Sequence, residues 1–311
     1  MNATKKTLIV VEDVYKEYPN PNGGIKKVLN DVDLRVSQGE FVTVVGPTGC
    51  GKSTLLWLIL GQEKPTSGRV LIDDKEVEGP DRDKGIVYQK YSLFPHRTVL
   101  DNITFGLELE GFNLFNRTVA NIPFIGRTLY GSRLRGYEEK AMQYLERIGL
   151  TQADATKYPF QLSGGMRQRV AIAQALIMGP KILLMDEPFG ALDDTTRQNM
   201  QLFLIEKQKE TGKTIFFVTH DLEEAIFLGT RIIVLSQHYS TDTKSEGSKI
   251  VLDKAIPVSH SVDFKYTPEF SALVKQVRED GLEVSNRQHV KDFDLSHPDS
   301  FRTVTPEEWR H

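Results

Sequence analysis

Apolar residues in this chain fall into short runs separated by turn-forming and charged clusters, and two periods can be told apart. Val28 to Val36 alternates, with Val32, Leu34 and Val36 on one side, which predicts a strand with one buried face. Phe41–Val45, Ile182–Met185, Thr214–Val218 and Arg231–Leu235 are unbroken instead, and short unbroken runs bounded by turn signals predict strands buried on both faces. Leu8 to Val45 reads as strands throughout, with Ser37–Glu40 as a turn; Arg69–Ile72 and Gly85–Tyr88 read as further short strands. Thr54–Leu60 is apolar all round and ends at Gly61, which predicts a buried helix with a glycine cap. Val99 to about Ala175 is helix-rich, and Val170–Ile177 within it is a helix. From Thr267, a Thr-Pro-Glu-Phe start predicts a helix with Phe270, Leu273, Val274 and Val277 on one face. Strands alternating with helices predict an α/β chain.

The strand at Phe41–Val45 runs straight into Gly46-Pro47-Thr48-Gly49-Cys50-Gly51-Lys52-Ser53, and Thr54 opens the helix. Strand, glycine-rich loop and helix in this order form a phosphate cradle: backbone N–H groups turn inward, and the helix N-terminus adds its positive dipole end. Lys52 supplies a point charge for β- and γ-phosphates, and the Ser53 hydroxyl suits a magnesium ion. Asp186, at the C-terminal end of the Ile182 run, lies where open α/β sheets hold ligands and can hold Mg²⁺ through water. Glu187, one residue on, is placed to act as base toward an attacking water. Leu162-Ser163-Gly164-Gly165 opens the Val170 helix with Ser163 as N-cap and two glycines that leave N–H groups uncovered, a second anion site.

Together these motifs resemble the ATP-binding subunit of ABC transporters, from about Leu8 to Gly281. The resemblance implies an ABC ATPase fold: a P-loop NTPase core with an antiparallel β subdomain and a helical subdomain. It divides the chain into a core at 1–98 and 176–260, a helical subdomain carrying the signature at 99–175, and a helical extension and tail at 261–311. It further implies that Tyr18, in a loop-like segment, stacks on adenine, and that Gln89 is the Q-loop glutamine, serving catalysis and the metal. Asp193 in Ala191-Leu192-Asp193 resembles the D-loop aspartate. His220 resembles the switch histidine, which would hold the γ-phosphate and position Glu187 and its water.

Each motif occurs once, so two complete sites need a second copy or a paralogous ATPase subunit. The resemblance implies ATP and Mg²⁺ as cofactors, transmembrane permease subunits and a solute-binding protein as partners, and a peripheral place on the cytoplasmic face of the inner membrane. Pro80–Pro95 is similar to the ATPases of nitrate, sulfonate, taurine and bicarbonate importers. An exporter ATPase, a soluble ABC protein acting on ribosomes or DNA, and a non-catalytic partner in a heterodimer are the alternatives; intact Glu187 and His220 oppose the last.

Composition agrees. The chain has 311 residues, enough for a sizeable core and a smaller second lobe. A net charge of −3 gives no global pull toward nucleic acid. One cysteine allows no internal disulfide and fits a reducing compartment. The N-terminal apolar run is too short for a signal peptide, and no apolar stretch reaches the ~18 residues of a membrane span.

Three further expectations concern Cys50 in the phosphate loop and segments outside the core motifs. Cys50, beside Lys52 and a helix N-terminus, is expected to favour thiolate, the alternative being a buried, inert thiol. Phe112–Arg135 carries arginines among apolar residues and suits contact with a membrane partner or anionic lipid heads, or else a local mini-core; Pro123, Gly126 and Gly131 argue against one long helix there. The loop Ser236–Ser248 and the tail beyond Leu282 are longer than the family pattern.

Overall fold

The computed structural model describes residues 6–20, 23–111, 125–237, 247–257 and 261–282, with the backbone alone for 125–131. The chain divides into two units, Met1–Lys84 with Leu184–Glu187 and Ile205–His311, and Gly85–Leu183 with Pro188–Leu204.

In the first unit β1 (Thr7–Pro19) and β2 (Ile25–Ser37) form an antiparallel pair, and β1 also pairs with β4 (Ser67–Ile72), which continues into β5 (Lys75–Glu76). The β2-β1-β4-β5 sheet has one buried face, as the alternation of Val32, Leu34 and Val36 requires. Its register shifts between Val11 and Val14, and Asp13 (φ 47°) and Asp31 (φ 53°) take left-handed backbone there. Asp tolerates that conformation because its short side chain can bond locally.

The second sheet has the order β10-β9-β3-β8-β7-β6. β3 (Phe41–Val45) is buried at every position and lies parallel between β8 (Thr214–Val218) and β9 (Arg231–Ser236). That explains the unbroken apolar runs: helices or sheets cover both faces, so neither face can be polar. Each buried Val, Ile or Phe contributes about 1.5–3 kcal/mol; Val44→Asp would put an unpaired charge amid them. β10 (Lys249–Ala255), an edge strand antiparallel to β9, was not foreseen in the sequence. It is fastened by Arg231, whose Nε donates to Asp253 Oδ1 (2.6 Å) and whose Nη1 donates to Arg35 O (2.7 Å). Burial works against that charge, but Asp253 and Glu40 outweigh it and push the guanidinium pKa up. α1 (Lys52–Leu60) follows β3, and Gly61 (φ 82°) ends it, donating to Trp57 O and Leu58 O. β6 is Lys84–Val87 and β7 is Ile182–Asp186; the unit boundary falls within each.

The second unit carries α2 (Val99–Gly111), α3 (Ile125–Arg147) and α4 (Gly164–Ile177). Arg169 of α4 donates to Ile148 O (2.6 Å) and Gly149 O (2.9 Å), placing a cation at the C-terminal end of α3. Of the residues read as arguing against one long helix over Phe112–Arg135, Gly126 and Gly131 lie inside α3, which also runs through Gly136, while Pro123 lies outside the described residues. Glycine inside a helix costs only about 1 kcal/mol, which the rest of a long helix offsets. The remainder of that stretch, the loop 238–246 and residues 283–311 lie outside the described residues. α5 (Asp194–Thr211) follows β7, α6 (Leu222–Leu228) follows β8, and α7 (Pro268–Val277) opens on Thr267 as expected, its hydroxyl accepting from Phe270 N (3.2 Å).

Candidate active site

In the first unit the loop 46–51 joins β3 to α1. A Cβ at Gly46 would lie 2.2 Å from Leu235 O and 2.8 Å from Cys50 Sγ, so only glycine fits at that end. At the other end Gly51 has φ 94° and caps α1 with no side-chain hydrogen bond, and no acidic residue stands in the first turn. The first N–H groups of α1 are thereby left for an external acceptor. Lys52 is buried and curls over the loop, its Nζ donating to Gly46 O (2.7 Å) and Pro47 O (3.0 Å). Thr48 and Gly49 are exposed at the crest of the loop, and Thr54 is buried behind it.

Cys50 departs from expectation. Its thiol is 1% exposed, and burial pushes its pKa up, with Lys52 only partly opposing. Lys52 Nζ is 3.9 Å from the sulfur, because the ammonium serves the loop carbonyls instead. Cys50 is therefore the buried, neutral thiol that was the alternative reading.

Asp186 ends β7 and is 7% exposed. Burial raises its pKa and so does the neighbouring Glu187, while a hydrogen bond from Ser53 and the charge of Lys52 lower it. A hydroxyl and a buried carboxylate are hard oxygen donors, and a divalent cation would relieve the burial cost; Ser53 and Asp186 fit Mg²⁺.

Glu187 has φ 45°, a left-handed backbone that costs a bulky residue roughly 1–3 kcal/mol and clusters at functional sites. Its N–H donates to Val218 O (2.9 Å), which fixes the turn against the end of β8. Two residues on from Val218 stands His220, 71% exposed at its side chain, with Nδ1 3.5 Å from Glu187 Oε1. The adjacent strands β7 and β8 thus bring a carboxylate and an imidazole face to face.

Tyr18 lies on β1 opposite Lys26, not in a loop, and just beyond it Asn20 N donates to Gly24 O (2.9 Å). Lys16 Nζ stands 4.8 Å from the ring centroid, and the phenol donates to Glu63 Oε2 (2.5 Å). Burial and that carboxylate push the phenol up to about 12.

In the second unit Ser163 caps α4 by accepting from Met166 N (3.2 Å), and the hydroxyl is exposed. Gly164 follows it. A Cβ at Gly165 would lie 3.1 Å from Ala191 O, so this glycine lets α4 pack on the segment before Asp193. Asp193 accepts from Thr196 N (3.0 Å), and that bond holds its pKa down. Gln89 is exposed just past β6.

A sequence profile described as ABC transporter matches residues 29–190. The nitrate import ATP-binding protein NrtD of Synechocystis is 39% identical over 84% of this chain and 90% of that protein. The chain belongs to the ABC transporter family. The taurine import ATP-binding protein TauB of Escherichia coli O157:H7 is 41% identical to this ABC protein over 74% of this chain and 80% of that one. Among solved structures, a dimeric bacterial ABC transporter cassette superposes with a TM-score of 0.66 at 32% identity, covering 81% of this chain and all 100% of that one. A post-hydrolysis cassette dimer bound to ADP and Pi gives 0.65 at 31% identity over the same 81% and 100%. This ABC subunit binds ATP, and its ATP hydrolysis is coupled to transport. Among the described residues no helix is long and apolar enough to cross a membrane.

Residues around these motifs were missed in the sequence of this ABC ATPase. Thr219 and Glu224 form a buried pair beside His220, Oγ1 donating to Oε2 at 2.6 Å. On α4, Gln168 Nε2 donates to Tyr88 O (3.3 Å) and Arg167 lies 4.7 Å from the Tyr91 ring, so α4 grips the chain on both sides of Gln89. Gln168, three residues after Gly165 in the first turns of α4, was the available signal.

Proposed function

We propose that this ABC ATPase powers import of a small anion or zwitterion of the nitrate, sulfonate, taurine or bicarbonate kind, docked on separate permease subunits at the cytoplasmic face of the membrane. The observation that carries the reading is that relatives alike over most of the chain are named nitrate and taurine import proteins. The core is assigned to 1–98 and 176–260, the helical subdomain to 99–175, and an extension to 261–311.

Two copies, or this chain and a paralogue, close head to tail. Each ATP then lies between the phosphate loop of one chain and Ser163-Gly164-Gly165 of the other. The loop N–H groups from Gly46 to Ser53 and the Lys52 ammonium take the phosphates; Thr54 backs the loop, Tyr18 stacks on the base, and Asp193 completes the face that Ser163 offers. Ser53, Asp186 and Gln89 would hold magnesium, which would supply positive charge to offset that of the phosphates. Glu187 takes a proton from the attacking water, and His220, within 3.5 Å of that carboxylate, holds it and the γ-phosphate in line. The exposed imidazole can donate at one nitrogen and accept at the other.

The test is the chain co-purified with its co-expressed membrane and solute-binding partners in proteoliposomes. ATP turnover is expected to rise when one of these solutes is supplied, with its binding protein, on the face opposite the ATPase. A solute that stimulates only from the ATPase side would overturn import.

A further inference from the structure

We propose that Glu224, through Thr219, is a positioning residue for His220; this rests on the reading of His220 as part of the hydrolytic machinery. Glu224 is a carboxylate only 6% exposed, in the first turn of α6. Burying a carboxylate is costly, and α6 does not need it as a cap. Asp221 already fills that end, accepting from Glu223 N (2.9 Å) and Glu224 N (3.1 Å). Its Oε2 accepts a 2.6 Å hydrogen bond from the Thr219 hydroxyl. The same hydroxyl oxygen accepts from Asp221 N at 3.1 Å.

Thr219 and Asp221 are the residues on either side of His220. The hydroxyl therefore bridges the His220 turn from one flank to the other, and Glu224 holds the hydroxyl from beneath. Thr219 N also donates to Val44 O (3.2 Å), tying the turn to β3, the strand that leads into the phosphate loop. The imidazole is 71% exposed, so side-chain burial does little to orient it. Its aim at Glu187 Oε1 comes from the backbone, and the Thr219–Glu224 pair fixes that backbone. A lock of this kind acts on geometry at the reacting end, where displacement by about 1 Å can cost 10²-fold in rate.

The experiment compares steady-state ATP turnover of the full chain carrying Glu224→Leu, Glu224→Gln, Thr219→Val or Thr219→Ser, with His220→Ala as reference. Glu224→Leu and Thr219→Val are expected to lower kcat roughly 10- to 100-fold, with KM for ATP and equilibrium ATP binding unchanged. Glu224→Gln keeps an acceptor oxygen and Thr219→Ser keeps the hydroxyl, so both should recover most of the rate. Thr219→Val with Glu224→Leu should be no slower than either alone, since one device is removed once. Glu224→Leu at the wild-type rate, a loss that appears in KM, or additive losses would overturn the proposal. Should Glu224→Leu not fold, the Thr219→Val and Thr219→Ser pair decides, because Val fills the same space without the hydroxyl. Wild-type turnover in His220→Ala would instead sink the reading beneath it; a crippled His220→Ala with an unaffected Thr219→Val would sink this inference alone.

Discussion

Helix N-termini in this molecule are finished in contrasting ways. α1 begins on Gly51, with no side-chain cap and no acid in its first turn. α6 begins on Asp221, whose carboxylate covers the Glu223 and Glu224 amides, with both of those acids in the first turn. Both ends carry the same backbone donors and the same dipole. One end is satisfied by the chain itself, and the other is kept free of any internal anion. α4 stands between them: Ser163 covers the Met166 amide, and no acid follows in the first turn. The lesson is that a phosphate site is recognised by what the sequence withholds from a helix start as much as by what it supplies.

The sharpest way to break the comparison is to give α1 the finish of α6. Gly51→Asp would set a carboxylate at the phosphate end, where like charges cost several kcal/mol. Its Cβ would also meet Leu29 Cδ2 at 2.8 Å. ATP binding by calorimetry and all turnover are expected to be lost. Closing the α4 end with Ser163→Arg should abolish turnover yet leave ATP binding by each chain intact, if Ser163 serves the partner's nucleotide as proposed. Size-exclusion chromatography in ATP, in a Glu187→Gln background, should show no dimer; an unimpaired dimer would contradict this. Glu187→Gln by itself should lower kcat by roughly 10²–10⁴ while ATP still binds, as the amide cannot take the water's proton.

Cys50 gives a smaller effect with a definite sign. Its pKa is raised by burial, so the neutral thiol persists at and above the ordinary value of 9.0. Thiolate is the reactive form, so labelling by a thiol reagent should be slow near pH 7 and still climbing past pH 9.0. Fast labelling at neutral pH would restore the thiolate expected from the sequence. Smallest is Asp221→Ala, which removes a cap and should cost about 1 kcal/mol of stability, read as a lower Tm.

Much of this was legible in the sequence wherever local chemistry decides structure. β3, the loop and α1 follow from an apolar run, glycines and Lys-Ser; Ser163 and Thr267 sit at the helix starts their hydroxyls favour, and Gly61 at a helix end that needs left-handed backbone. What was not legible depends on tertiary context. Nothing local announces that Glu187 adopts φ 45°, since that backbone is held by Val218 on another strand. Cys50 looked reactive because Lys52 is near in sequence, but the ammonium turns to Gly46 and Pro47. The glycines of α3 looked like breaks because their cost is local and the compensation is spread along the helix. Tyr18 looked like loop because Pro19, Gly23 and Gly24 mark the turn just beyond it. The Thr219–Glu224 pair reads as an ordinary helix start until burial is known.

The central claim is that one chain holds only half of each hydrolytic site. ATP turnover measured against chain concentration, without membrane partners, tests it most directly. At concentrations below the dissociation constant of the dimer, total rate should rise with the square of chain concentration, and turnover per chain should level off as dimers form. A rate strictly proportional to chain concentration over a hundredfold dilution, with light scattering showing monomer throughout, would contradict it.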